Sequence, residues 1–354
     1  MIKFSQSSPF AKLFIWVAFL LLIVFFLEIA LRVKGVKPMK MFKLSVSPPH
    51  LFEPDSLLGW RPHKGVYRIF VNDSSKTVTA TLNERKNRIT NAIGKQNINS
   101  CRSLIQIYGC SCTFGLSIED TSTQSYKLQQ LLPEYCVENK GVPGYGLSQM
   151  YLLLQESLLI GDTPKVVVIN YGDFHDERTP LSYRWSSLIW MGITMGDGAK
   201  YNNQNLPYYT FPNGKVQLNR GIKLSKLTKF WPLVHVSSLA CALNFNYITI
   251  HDDAQFAYFH RLSHLTALEI MKYCKKNGIT PIFAKLTNSR DVLPTNNIQS
   301  DLEQKGYLTL DYGIDFSDNK YNCGPYDDSH PNKVAHSIYA EKLFVFLKAK
   351  KLIP

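Results

Sequence analysis

Two short stretches carry side chains whose types and spacing could do chemistry together. Residues 109–115 read Gly-Cys-Ser-Cys-Thr-Phe-Gly, a glycine-bracketed turn directly after the apolar run of Leu104, Ile105, Ile107 and Tyr108. Such a turn would hold up one hydroxyl, that of Ser111. Residues 327–332 read Asp-Asp-Ser-His-Pro-Asn, which sets a carboxylate, Asp327, three residues before an imidazole, His330. A serine is a poor nucleophile until a neighbouring base takes its proton, and that base works best when a carboxylate fixes its tautomer. Nucleophile, acid and base are all present, in the chain order Ser, Asp, His.

This pattern resembles the SGNH/GDSL hydrolase family, whose members cleave esters and thioesters or transfer acyl groups. There a Gly-Asp-Ser turn carries the nucleophile and an Asp-x-x-His near the C-terminus completes the triad; the matching positions here are Ser111, Asp327 and His330. Residues 139–146, Asn-Lys-Gly-Val-Pro-Gly-Tyr-Gly, look like the family's second block, in which a glycine N–H helps to bind the oxyanion, and Gly144 is the best-matching position. The likeness covers residues 100–160 and 320–350, and more narrowly resembles the membrane-anchored bacterial branch linked to cell-surface glycan modification. It implies an α/β fold of the three-layer α/β/α, flavodoxin-like kind with a parallel sheet. It also implies ester hydrolysis without cofactor or metal, on an acylated (often acetylated) carbohydrate or a lipid ester.

The chain departs from the family at two places. Cys110 stands where the aspartate of Gly-Asp-Ser would be; that aspartate is not the triad acid, so the nucleophile assignment is unaffected. The third block normally offers an asparagine to the oxyanion, and the matching stretch, residues 166–175, has none at the expected place. Losing one such donor costs about 100- to 1000-fold in rate. The expected oxyanion donors are therefore the backbone N–H groups of Ser111 and Gly144, with His175 or Asp173 as substitutes for the asparagine. An acyltransferase of the same fold and a catalytically inactive glycan-binding or assembly protein are the alternatives.

Composition bounds the rest. The chain has 354 residues, 45% of them hydrophobic, enough for a sizeable core in one α/β domain with insertions. The net charge of +13 is spread along the chain. No nucleic-acid-binding module accompanies it, so no nucleic-acid partner is expected; a basic surface suits anionic lipid or acidic glycan. Residues 13–33 are almost wholly apolar, with Glu28 followed by Ile29, Ala30 and Leu31. A span of about 20 such residues crosses the hydrocarbon core, and no Ala-x-Ala-like cleavage site follows it. An uncleaved transmembrane anchor is expected, with Glu28 toward one interface and Arg32 one turn on.

Orientation signals oppose each other. Lys3 and Lys12 precede the apolar run, whereas Arg32, Lys34, Lys37, Lys40 and Lys43 follow it. The positive-inside bias favours a cytoplasmic catalytic domain, while the resemblance implies a single-pass protein of the bacterial inner membrane with its catalytic domain periplasmic. The expectation follows the resemblance. Seven cysteines form no spacing framework, and Cys110 and Cys112 are too close for an ordinary bridge.

Along the chain, residues 1–35 read as the anchor, 36–100 as a small β-rich lead-in and 101–354 as the hydrolase-like domain. Residues 66–71 and 77–82 read as a strand pair around Asn72-Asp73-Ser74-Ser75. Trp60 and Tyr67 beside it could stack on sugar rings or simply pack. Beyond residue 101, strands are expected at 103–109, 134–138, 165–171 and 280–285, and helices at 123–133, 147–160, 255–277 and 332–350. Apolar strands alternating with helices give a parallel sheet covered on both faces, with ligands beyond the carboxyl ends of its strands. Ser111, Gly144 and His175 all fall there. Residues 180–254, rich in aromatics such as Trp185, Trp190, Tyr201, Tyr208, Tyr209 and Trp231, read as an insertion serving as a lid or substrate-binding loop.

Other constellations have plainer readings. His260 and His264 have zinc-binding spacing, but the glutamate of a His-Glu-x-x-His motif is absent. His251-Asp252-Asp253 reads as a helix start and Ser329 as a helix cap. Asp173, Asp176, Glu177 and Arg178 read as a solvated, mutually paired loop. Cys110 and Cys112 read as small packing residues, and His336 as structural.

Overall fold

A computed structural model describes residues 8–38, 44–71, 76–91, 101–182, 185–186, 189, 206–220, 233–234, 236–243, 253–289 and 298–354. The 72–75 turn, Lys3, Lys40, Lys43, Trp190, Tyr201, Trp231, His251 and Asp252 lie outside the described residues, as does most of the 180–254 insertion. Two compact units emerge, residues 1–41 with 225–252, and residues 42–224 with 253–354.

The first unit is built on α1 (Pro9–Val33). Ser8 caps it, its Oγ accepting from the Ala11 N–H at 3.2 Å, and Pro9 occupies the first turn, where a missing N–H costs nothing. At 25 residues α1 is about 38 Å long, sufficient to cross a bilayer's hydrocarbon core, and none of its residues is buried. Its one carboxylate does not stand alone. Glu28 accepts from Arg32 Nε at 2.6 Å, one turn on as expected, and also from Ser237 Oγ and the backbone N–H groups of Ser238 and Leu239, each at 2.8 Å. These two amides open a short helix at Ser238–Leu243 and would otherwise lack acceptors.

The second unit opens with short antiparallel strands β1 (Leu44–Ser47), β2 (Phe52–Asp55), β3 (Gly59–Pro62), β4 (Gly65–Val71) and β5 (Thr77–Leu82). The β4–β5 pair is the expected one; the β2–β3 hairpin forms in a stretch that reads only as turn-rich. Leu51, Phe52, Leu58, Trp60, Tyr67 and Ile69 make a core with Phe114, Val142 and Tyr145. Trp60 and Tyr67 are 1% and 2% exposed, so they pack and cannot stack on a sugar.

Then come β6 (Leu104–Gly109), α2 (Ser111–Phe114), α3 (Gln124–Leu131), β7 (Cys136–Gly141), α4 (Leu147–Leu159) and β8 (Pro164–Tyr171). The hairpin strands β9 (Pro207–Thr210) and β10 (Gln217–Arg220) belong to the insertion. After them follow α5 (Asp253–Lys276), β11 (Thr280–Thr287), α6 (Ile298–Gln304), β12 (Leu308–Asp315), β13 (Asn322–Cys323), β14 (Asp327–Pro331) and α7 (Lys333–Ala349).

Five of these strands form one sheet in the order β12-β11-β8-β6-β7, every pairing parallel. Counted along the chain this is 2-1-3-4-5, the flavodoxin-like doubly wound order, whose direction reverses between β6 and β8. Side chains alternate across it. Ile105, Ile107, Val137, Val166, Val168 and Ile282 pack on Leu128 of α3 and on Tyr339, Leu343 and Leu347 of α7. Tyr108, Val167, Ile169 and Phe283 pack on Leu147, Met150 and Leu154 of α4 and on Ile270 and Met271 of α5. The result is the expected three-layer α/β/α fold.

Two strands depart from expectation. β7 runs on to Gly141 although Glu138 and Lys140 are charged, because these form a buried network. Glu138 accepts from Gln106 Nε2 at 2.9 Å, Arg85 Nε at 2.8 Å and Lys140 Nζ at 3.2 Å. The edge strand β12 is unexpected, since Asp311, Gly313 and Asp315 break the apolar pattern; only its inner side meets the core. Cys101 and Cys136 form a disulfide with Cα atoms 5.5 Å apart, joining the approach to β6 to the start of β7.

Candidate active site

The turn after β6 exists because two glycines let strand ends meet the short helix α2. A Cβ on Gly109 would lie 1.9 Å from Thr113 Oγ1, and one on Gly141 would lie 2.4 Å from the Phe114 nitrogen. No side chain fits either place. Thr113 is then tied from both neighbouring strands: Asn170 Nδ2 donates to its Oγ1 and Asn139 Nδ2 to its carbonyl, each at 3.0 Å. Gln124 and Tyr312 complete the network behind the turn, bonding the Asn170 amide at 2.9 and 3.0 Å.

Arg88 holds the other end of α2. It is 1% exposed and donates to the carbonyls of Phe114 (2.8 Å), Ile118 (2.6 Å) and Thr79 (2.7 Å), and to Asp120 Oδ1 (2.8 Å). A buried guanidinium is tolerable only when its donors are satisfied in this way. None of Arg88, Thr113, Asn139 and Asn170 stands out in the sequence as part of a site. Arg88 sits in Asn-Glu-Arg-Lys-Asn-Arg, indistinguishable from an exposed charged turn. A signal existed for Asn170, a lone amide ending the run Val166–Ile169.

The three residues singled out by type and spacing come together. Ser111 Oγ is 2.9 Å from His330 Nε2, and His330 Nδ1 is 2.8 Å from Asp327 Oδ2. These are the distances at which an imidazole can take a hydroxyl proton while a carboxylate holds its other nitrogen. Asp327 is held in turn. Its Oδ1 accepts from the Ser329 N–H (3.1 Å) and Oγ (2.7 Å), and its Oδ2 from Ser117 Oγ. Ser329 is thus not the helix cap; Asn332 caps α7, its Oδ1 accepting from the N–H groups of Val334 (2.9 Å) and Ala335 (3.1 Å). Asn332 Nδ2 also reaches the Asn322 carbonyl at 2.8 Å, fixing the β13–β14 loop that carries the acid and base.

Electrostatics match this geometry. Burial alone would raise the Asp327 carboxyl, but the His330 charge and the bonds from His330, Ser117 and Ser329 outweigh it and hold it far below the usual carboxylate range. Burial alone would lower the His330 imidazole; Asp327 outweighs that and raises it, against an opposing push from Arg178.

The backbone N–H groups of Ser111 and Gly144 donate to no acceptor among the described residues. Gly144 has φ +89°, which turns the chain between β7 and α4. His175 is fully buried; its Nδ1 lies 2.9 Å from the Gly172 nitrogen and 3.0 Å from the Gly172 carbonyl oxygen, and its ring is a neighbour of Cys110. Cys110 and Cys112 are buried, as packing residues would be.

The loop after β8 is not a solvated, mutually paired one. Asp176 is 1% exposed and bonded to the Tyr171 hydroxyl and to His260 Nδ1 (3.0 Å). Arg178 has no carboxylate partner among the described residues. His264 pairs separately, with Asp301 at 2.5 Å. His336 is buried, accepts from the Gln124 N–H at 2.9 Å, and is lowered to about 3 by burial and nearby cations, as a structural histidine would be.

No protein-family model matches the chain, and no curated protein matches its sequence. Solved structures are similar to part of it at low identity. The esterase EstA from a Pseudoalteromonas species, in a form inhibited by monoethylphosphonate, is 11% identical over 71% of this chain and 100% of its own, with a TM-score of 0.39. A GDSL-like lipase from Bacteroides thetaiotaomicron is 12% identical over 70% and 89%, with a TM-score of 0.37. A member of the lipolytic G-D-S-L family from Veillonella parvula is 9% identical over 69% and 98%, also at 0.37.

Proposed function

We propose that this protein is a serine esterase of the SGNH/GDSL type. The observation that carries the reading is the unbroken chain Ser111 Oγ–His330 Nε2–His330 Nδ1–Asp327 Oδ2, with steps of 2.9 and 2.8 Å. Ser111 attacks the ester carbonyl as its proton passes to His330 Nε2, and Asp327 stabilises the imidazolium that forms. The carbonyl oxygen becomes an oxyanion and is received by the Ser111 and Gly144 N–H groups, which have no competing acceptor among the described residues. Collapse of the tetrahedral adduct breaks the ester C–O bond, and His330 returns its proton to the leaving alkoxide. Water, activated by the same imidazole, then releases the acid and restores Ser111. His175, enclosed beside Cys110, serves better as a support for the turn than as an oxyanion donor.

The substrate is an O-acylated glycan or a lipid ester of the cell envelope. We place α1 as a single inner-membrane anchor, residues 1–35, followed by the lead-in of residues 36–100 and the catalytic domain of residues 101–354, on the periplasmic side. The Cys101–Cys136 disulfide supports that side, since such bonds persist in oxidising compartments. Covalent labelling of the full-length protein in detergent by a fluorophosphonate probe tests the reading. Labelling of the parent that disappears in Ser111→Ala is expected. A folded parent that does not label would leave only a non-catalytic binding role.

A further inference from the structure

Arg178 is a cation with no carboxylate partner among the described residues, within electrostatic reach of His330 and Cys110. Its guanidinium lies 4.7 Å from the Phe174 ring centroid and 4.2 Å from that of Trp185, held between the two aromatics. Its single hydrogen bond among the described residues is long, from Nη1 to the Tyr145 carbonyl at 3.4 Å, one residue beyond Gly144. Its Nε, like the indole Nε1 of Trp185, is a buried donor with no acceptor among the described residues. The side chain is fixed where the second block meets the loop after β8: a Cβ on Gly146 would lie 2.7 Å from Arg178 Cβ. Its charge is felt by the site, for it lowers the Cys110 thiol and opposes protonation of His330.

A partly buried guanidinium normally recruits a carboxylate, because desolvation without compensation is costly. Arg88 does so with Asp120 and Arg61 with Asp55 and Glu156 in this same unit. Aromatic faces attract the cation but leave its in-plane N–H donors open. We propose that Arg178 is a specificity-determining residue that binds an anionic group, carboxylate or phosphate, carried by the ester substrate. The planar fork matches either group and is pre-positioned by Phe174 and Trp185, so little freedom is lost on binding. This rests on the serine-esterase reading for the word substrate, not for the anion site itself.

The test uses the full-length protein in detergent and compares p-nitrophenyl hemisuccinate with p-nitrophenyl butyrate, and 5-acetoxy-2-nitrobenzoate with p-nitrophenyl acetate. The quantity read is the ratio of kcat/KM for the anionic over the neutral ester, which a uniform loss of active protein does not move. The parent should prefer the anionic member of at least one pair. Arg178→Met should lower that ratio about 10- to 100-fold, as expected for loss of a hydrogen bond to a charged group, and Arg178→Lys should recover part of it. The pair that responds shows whether the anion sits on the acyl or the alcohol side. A parent with no preference for charge in either pair, or an unchanged ratio in Arg178→Met, overturns the proposal. An equal loss on all four esters also overturns it and makes Arg178 an oxyanion-stabilising residue instead.

A second measurement separates this from the catalytic reading. Calorimetric binding of monomethyl succinate to Ser111→Ala, and its loss in Ser111→Ala with Arg178→Met, would support the anion site even if fluorophosphonate labelling failed. No binding to Ser111→Ala would count against the anion site while leaving the labelling result to stand by itself.

Discussion

Asp327→Asn separates the roles that geometry assigns to this carboxylate. In the parent, Asp327 accepts four hydrogen bonds, from His330 Nδ1, Ser117 Oγ, Ser329 N–H and Ser329 Oγ. Asparagine has one acceptor oxygen. With Ser329 holding that oxygen, the amide NH₂ falls where Oδ2 was and donates to His330 Nδ1. The ring proton then moves to Nε2 and points at Ser111, the tautomer that cannot act as a base. A loss of about 10,000-fold in kcat follows from wrong-tautomer behaviour in such triads, equivalent to about 5.5 kcal/mol in the barrier. The stability cost is smaller, about 2 kcal/mol, the usual scale for losing hydrogen bonds to a charged group.

The pH dependence should move as well. His330 is raised in the parent by Asp327, so the acid limb of kcat/KM should lie above the ordinary imidazole value. In Asp327→Asn burial, the largest influence, and Arg178 still oppose protonation, with Cys110 alone favouring it, and the limb should move down. The same linkage gives stability a definite sign. The depressed Asp327 carboxyl stabilises the fold above the ordinary carboxylate value and ceases to do so as pH falls. The raised His330 stabilises the fold below its unfolded value and ceases to do so as pH rises through its folded one. The assay is p-nitrophenyl acetate hydrolysis by full-length protein from pH 5 to 9, with fluorophosphonate labelling rates alongside. A loss below tenfold with an unmoved acid limb would refute the argument.

Two further predictions concern the frame. Arg88→Met keeps the volume but leaves the Phe114, Thr79 and Ile118 carbonyls and Asp120 without their buried donor; a loss of about 3–5 kcal/mol is expected for breaking a buried pair. Denaturant melts should show it, and a shift under 1 kcal/mol would mean that the carbonyls find other donors. Cys101→Ser opens a loop of sequence separation 35; chain entropy predicts a loss of about 4 kcal/mol. Mass spectrometry without reductant should find one disulfide in the parent and free thiols at Cys110, Cys112, Cys241, Cys274 and Cys323; a sixth and seventh free thiol would remove one support for the periplasmic placement.

Much of this protein is written in short-range chemistry. Ser111, Asp327 and His330, the proposed nucleophile, acid and base, are legible because they stand in conspicuous local settings, a bracketed turn and an Asp-x-x-His step. The central strands β6, β8 and β11 are legible because both their faces are buried, which demands continuous apolar runs. The helix α1 is legible because its residues form one long, nearly unbroken apolar run. What only the tertiary structure decided are the residues whose partners lie far along the chain. Arg88 takes its meaning from carbonyls 26 and 30 residues away, Ser117 from a carboxylate 210 residues on, and Asn170 from a tyrosine 142 residues on. The buried charges of β7 likewise look like a strand end until Gln106, Arg85 and Asp162 close around them. Local sequence records which groups can react and which segments must be buried. Whether a polar group is satisfied, and so whether it is scaffold, base or waiting cation, is settled only when the folded chain sets its acceptors in place.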